Sequence, residues 1–124
     1  DIRYVVRNTG HDYNGRSAGA GALSVWTHDL RSTAFFNFKD AYYTGKTLQM
    51  GAQIGAGVQG FDAIATAKES NLVIVEVGVS GGYTQGGGHS ALSTSFGLSA
   101  DNALSFDVVL ASGSLVAANR SSTS

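Results

Sequence analysis

The chain has 124 residues, the length of one domain with room for a core, and its 17 glycines and absent proline and cysteine set it apart from an average globular sequence. A net charge of −1, a charged share of only 14 % and scattered Lys and Arg leave no basic stripe for a nucleic-acid backbone, so nucleic acid is disfavoured and none is expected as a partner. Disulfides and thiolate metal sites are excluded with cysteine, and no apolar run is long enough to span a membrane or reads as a signal peptide.

Taken in chain order, Arg3 to Arg7 reads as a strand, and its nearly continuous apolar character predicts burial on both faces. It delivers the loop Arg7-Asn8-Thr9-Gly10-His11-Asp12-Tyr13, hinged on glycine with a histidine at its tip, and the loop runs on to Gly21. Leu23 to Thr27 is a second strand, with His28 at its end and no chemical task. Ala34 to Phe38 and Thr47 to Met50 are two more, and Gly51 to Val58 reads as a bend. Phe35, Phe36, Phe38, Tyr42 and Tyr43 have the composition of a stacking platform, although packing is the commoner use of such clusters.

From Gly60 to Ser70 the spacing of Phe61, Ile64, Ala65 and Ala67 predicts the one helix, with Asp62 in its first turn and Asn71 in the turn out of it. Leu72 to Val77 reads as a buried strand leading into a second glycine cluster, Gly78 to Ser90. Leu104 to Ala111 and Leu115 to Ala117 form a hairpin through Ser112-Gly113-Ser114. The order predicts an α+β fold. The glycine share and both terminal segments give the expectation of a piece cut from a longer protein.

Two glycine-rich loops, each after an apolar run and each carrying a histidine, point to one anionic ligand held between them. Glycine lets the main chain approach a ligand closely and take positive φ, and successive N–H groups then form a donor cluster for phosphate or carboxylate oxygens. Each such bond to an ionised oxygen is worth roughly 1.5–3 kcal/mol. Plain structural turns are the competing use of either cluster. Asp12 reads as an acceptor that orders its loop rather than as a base. His89 has two uses side by side: facing the ligand, or packing and capping together with Ser90. His11-Asp12, His28-Asp29 and His89 lack metal-ligand spacing, so no metal is expected.

The run Arg7-Asn8-Thr9-Gly10-His11-Asp12-Tyr13-Asn14-Gly15-Arg16-Ser17 resembles the pyrophosphate loop of FAD-linked oxidases with a p-cresol methylhydroxylase-type flavin domain. Within the vanillyl-alcohol-oxidase superfamily the likeness is to the berberine-bridge-enzyme-like group, particularly its fungal members. Gly81-Gly82-Tyr83-Thr84-Gln85-Gly86-Gly87-Gly88-His89-Ser90 is similar to the group's second flavin loop, and the likeness continues through Phe96-Gly97-Leu98-Ser99-Ala100-Asp101-Asn102. It covers nearly the whole chain.

The resemblance implies a partial FAD-binding domain over residues 1–124, with mixed sheets, few helices and the substrate domain outside this chain. It implies FAD bound covalently through His11, by a bond from an imidazole nitrogen to the 8α carbon of the flavin. Arg7, Asn8, Thr9, Gly10, Asp12, Tyr13 and Ser17 would hold the cofactor on one side; Gly78, Val79, Ser80, Gly81, Gly82, Gln85, Gly86, Gly88 and His89 would line the other. A second, cysteinyl attachment known in the group has no counterpart here. The implied function is that of an oxidase acting on an alcohol or sugar-like substrate with oxygen as acceptor, no catalytic base being assignable in this chain. A non-enzymatic phosphate- or nucleotide-binding domain is the alternative. Asn119-Arg120-Ser121 fits the N-glycosylation pattern and gives an expectation of secretion.

Overall fold

The computed structural model describes residues 2–38, 49–75 and 81–119. β1 (Tyr4–Arg7) and β2 (Leu23–Trp26) pair in parallel, Tyr4 opposite Leu23 and Arg7 opposite Trp26. Parallel neighbours need a long connection, and residues 8–22 provide it as a loop without a helix. Val5 is buried, but Tyr4 and Val6 are 62 % and 54 % exposed. The expected burial of this strand on both faces is thus corrected: the described residues cover only the Val5 side.

β3 (Thr33–Phe38) and β4 (Gln49–Ile54) are antiparallel, with Phe36 opposite Gly51. A Cβ on Gly51 would stand 2.7 Å from the tip of the Phe36 ring, so the missing side chain is the seat of that ring. This contact explains why β4 runs on through residues 51–54, where the glycines read as a bend. Phe36 and Phe38 lie tilted with centroids 6.1 Å apart, an ordinary packing pair; Tyr42, Tyr43, Thr47 and Leu48 fall outside the described residues. The bend itself is shorter and comes later. Gly55 N donates to Ser32 O (2.8 Å) and Gly57 N to Leu30 O (2.9 Å), and a Cβ at Gly57 would meet Thr27 O at 2.1 Å.

α1 (Gly60–Glu69) buries Gly60, Ala63 and Ala67, a stripe of small residues at helical spacing; among the described residues Val5, Val58, Ala63 and Ala67 are the buried apolar ones. Asp62 in the first turn and Lys68 in the last both complement the helix dipole. Asn71 ends the helix as expected, at φ 54°, with Asn71 N donating to Lys68 O and Leu72 N to Ala67 O. Residues 72–75 are then irregular and Val73 is 77 % exposed, which corrects the expected strand. The β-branched side chains of Val73, Ile74 and Val75 favour extended chain, but no strand among the described residues pairs with them.

Further on, α2 (Gly82–Gln85), α3 (Ser93–Phe96) and a 3-10 turn at Ala100–Asn102 add helical turns too short to give a periodic sequence signal, so the single helix expected is an undercount. β5 (Ser105–Val109) and β6 (Leu115–Asn119) form the expected hairpin, the first strand shorter and the second two residues longer than expected, with Gly113 at φ +85° and Gly113 N bonded to Leu110 O. Among the described residues, three two-stranded sheets and few helices make the fold α+β.

Candidate functional site

The first loop leaves β1 with the Asn8 and Asp12 side chains fastened to the protein and the main chain from Thr9 to His11 open. Gly10 sits at φ +87°, over the stem of Arg7: a Cβ there would be 3.2 Å from Arg7 Cδ. The Arg7 guanidinium lies 5.2 Å from the centre of the Trp26 ring, and its Nε is buried with no hydrogen-bond partner. Among the described residues, the N–H groups of Thr9, Gly10 and His11 find no acceptor. The His11 and Tyr13 side chains are exposed.

Asp12 has the ordering role read from sequence. Its carboxylate accepts from Arg16 N at 2.6 Å and Arg16 Nη2 at 2.7 Å, and its carbonyl accepts from Gly15 N. The hydrogen bond from the Arg16 side chain, and then that from the Arg16 main chain, holds the carboxyl below its ordinary range. Asp12 bonds the main chain of Asn14, two residues on, as well as Arg16, four residues on.

The second loop is built more tightly. Gly87 and Gly88 have φ +106° and +75°, and Gly88 is buried so closely that a Cβ would stand 2.4 Å from Ser99 Cβ. Their carbonyls accept from Ala100 N and Ser99 N, Thr84 bonds Ser99 across the same gap (2.9 Å), and the Tyr83 hydroxyl donates to His89 O. Gln85 Nε2 turns back to Gly81 O at 3.3 Å. Among the described residues the N–H groups of Gly88 and His89 have no acceptor. The imidazole of His89 is exposed, whereas Ser90 is buried and its hydroxyl accepts from Leu92 N at 3.1 Å, in the turn ahead of α3, whose N-cap position is Leu92 with no side-chain cap bond. Gly78, Val79 and Ser80 lie outside the described residues.

The two loops meet at Ala56. Its carbonyl accepts from Asn8 Nδ2 (2.8 Å) and Thr27 Oγ1 (2.9 Å), and a Cβ on Gly81 would lie 3.8 Å from that same oxygen. Ala56, Val58, Trp26 and Thr27 carried no motif that sequence reading would single out; the glycines at 55 and 57 were the available signal. His28, assigned no task, stacks on Trp26 with centroids 4.4 Å apart. A hollow of about 360 Å³ lined by Arg31, Thr33, Val58, Asp62 and Thr66 holds neither glycine loop. Among the described residues no three potential metal ligands gather.

The open N–H groups of both loops, the partnerless Arg7 Nε and the exposed imidazole of His11 fit a phosphate-bearing cofactor, whose oxygens are acceptors only. Comparison with known proteins gives the same answer. The FAD-linked oxidoreductase ZEB1 of Gibberella zeae is 55 % identical over 124 residues, covering 96 % of this chain and 21 % of that protein. VAO-type flavoprotein oxidase VAO615 of Thermothelomyces thermophilus is 52 % identical over 119 residues, 91 % of this chain and 20 % of that protein. The crystal structure of VAO-type flavoprotein MtVAO615 from Myceliophthora thermophila C1 at pH 5.0 superposes with a TM-score of 0.88 at 49 % identity, covering 97 % of this chain and 22 % of that one. The chain therefore spans about a fifth of the length of these relatives. Residues 1–119 match the FAD binding domain family, and the chain belongs to it, as the kind of FAD-binding domain that VAO-type flavoproteins carry.

Proposed function

We propose that this chain is the cofactor-holding part of a secreted oxidase of the berberine-bridge-enzyme-like group, with FAD attached covalently to His11. The chemistry supplied by the bound cofactor is two-electron oxidation of an alcohol or carbohydrate, with oxygen as acceptor. The observation that carries this reading is the row of open donors at Thr9, Gly10 and His11 beside an exposed imidazole. These N–H groups and Arg7 hold the pyrophosphate, Gly88 and His89 close the other side, and Asp12 keeps the loop in shape through Arg16. Gly78, Val79 and Ser80 join that side through the sequence resemblance alone. The substrate domain and the base that takes the substrate's proton belong to the rest of the same enzyme. The non-enzymatic nucleotide-binding alternative is not favoured, because the family match is to a flavin domain.

The test is acid precipitation of the full-length protein, followed by mass spectrometry of the tryptic peptide containing His11. Flavin should stay in the pellet, the peptide should carry its mass, and His11→Ala should release the flavin to the supernatant. An unmodified His11 peptide from a yellow, active protein overturns the attachment. Secretion rests on Asn119, exposed at the end of β6. Enzymatic removal of N-glycans from protein secreted by a fungal host should lower its mass through that residue.

A further inference from the structure

Asn8 reads as a ligand donor in the sequence, yet its side chain is committed to the protein. Nδ2 donates to Ala56 O at 2.8 Å and to Val58 O at 3.1 Å, while the Asn8 carbonyl accepts from Trp26 Nε1 at 2.8 Å. Both atoms facing the amide are carbonyl oxygens, which only accept, so chemistry fixes which end of the amide is nitrogen. Thr27 N reinforces the junction by donating to Arg7 O at 2.9 Å. Three segments, the exit of β1, the end of β2 and the bend before α1, are therefore tied together immediately ahead of Thr9-Gly10-His11. Beyond this point the main chain has no other anchor until Asp12 meets Gly15 and Arg16.

We propose that Asn8 and Trp26 are positioning residues for cofactor attachment: they fix the direction in which the chain leaves β1, and with it the placement of the loop's open N–H groups and of the His11 imidazole. The inference rests on the reading of His11 as the attachment point. Bond formation is sharply sensitive to placement, and a displacement of about 1 Å costs on the order of 100-fold in rate. The clamp acts through the main chain, with no contact to the cofactor required.

The experiment uses the full-length protein with FAD as the probe. Trp26→Phe removes the indole N–H together with the five-membered part of the ring that stacks on His28 and faces Arg7, and Asn8→Asp turns two donors into acceptors facing carbonyls. Asn71→Ala, at the far end of α1, is the control that lowers stability elsewhere. Measured are acid-stable flavin per polypeptide, its rate of increase on incubation with FAD, and the melting temperature. Both clamp variants should attach flavin at least tenfold more slowly, while Asn71→Ala at a similar loss of melting temperature attaches it at the wild-type rate. Attachment at the wild-type rate in the clamp variants, or an equal loss in Asn71→Ala, overturns the proposal. If wild-type flavin itself proves acid-labile, the His11 reading falls, and the clamp is judged by the FAD dissociation constant: tenfold weaker binding supports it and an unchanged constant overturns it.

Discussion

Asp12 shows how a single exposed carboxylate shapes the first loop. Its pKa in the folded chain lies below the ordinary value because of Arg16, so the ordering it supplies is complete above that ordinary value and is lost as pH falls through the lowered one. Amide exchange at Arg16 should accordingly speed up only in acid, and Asp12→Asn should make it fast and nearly pH-independent apart from the intrinsic exchange rate. The glycines divide in a similarly concrete way. Gly88→Ala sets a methyl 2.4 Å from Ser99 Cβ at φ +75°, and is expected to cost about 2 kcal/mol or more; Gly82→Ala meets nothing within 4 Å and should stay within about 0.5 kcal/mol. Thermal unfolding of the two variants checks the difference. The sequence made all these glycines look alike. It showed that Asp12 orders its loop, because a carboxylate next to a turn has few other roles, but left the Asn8 side chain unread, because its partners are main-chain oxygens some fifty positions away.

The strands and helix legible in the sequence are those whose signal is local. β1, β3, α1 and the β5–β6 hairpin could be read because apolar runs, helical spacing or a glycine turn mark them. Residues 51–54 and 72–75 misread in opposite directions, since both depend on a neighbour: Phe36 holds Gly51 within a sheet, and no described strand lies beside Val73. The end of α1 allows a direct check. Asn71 holds a left-handed conformation that glycine takes without strain, so Asn71→Gly should raise stability by a few tenths of a kcal/mol and Asn71→Ala should lower it by about 1 kcal/mol, measured by denaturant unfolding. Gly57→Ala is the severe case. Its methyl would run into Thr27 O at 2.1 Å and lift the bend away from β2, so the variant should lose flavin and melting temperature together.

At the scale of the whole molecule, large apolar side chains stay open among the described residues: Tyr4, Val6, Leu23 and Val25 on the β1–β2 pair and Val109 and Leu115 at the hairpin tip. Expressed by itself the chain is expected to associate on a sizing column and to show no oxygen uptake with alcohols or oligosaccharides in the presence of FAD; a monomer that turns over such a substrate contradicts this. One feature of β1 and β2 reaches into folding kinetics. Their parallel pairing cannot begin until residues 8–22 have closed into a loop, at an entropic cost on the order of 2–3 kcal/mol. The segment proposed to receive the cofactor must thus close before its own sheet can form, and whatever stiffens it, the Asp12–Arg16 pair or a ligand already seated on its N–H groups, is expected to shorten the search by which the two strands find each other.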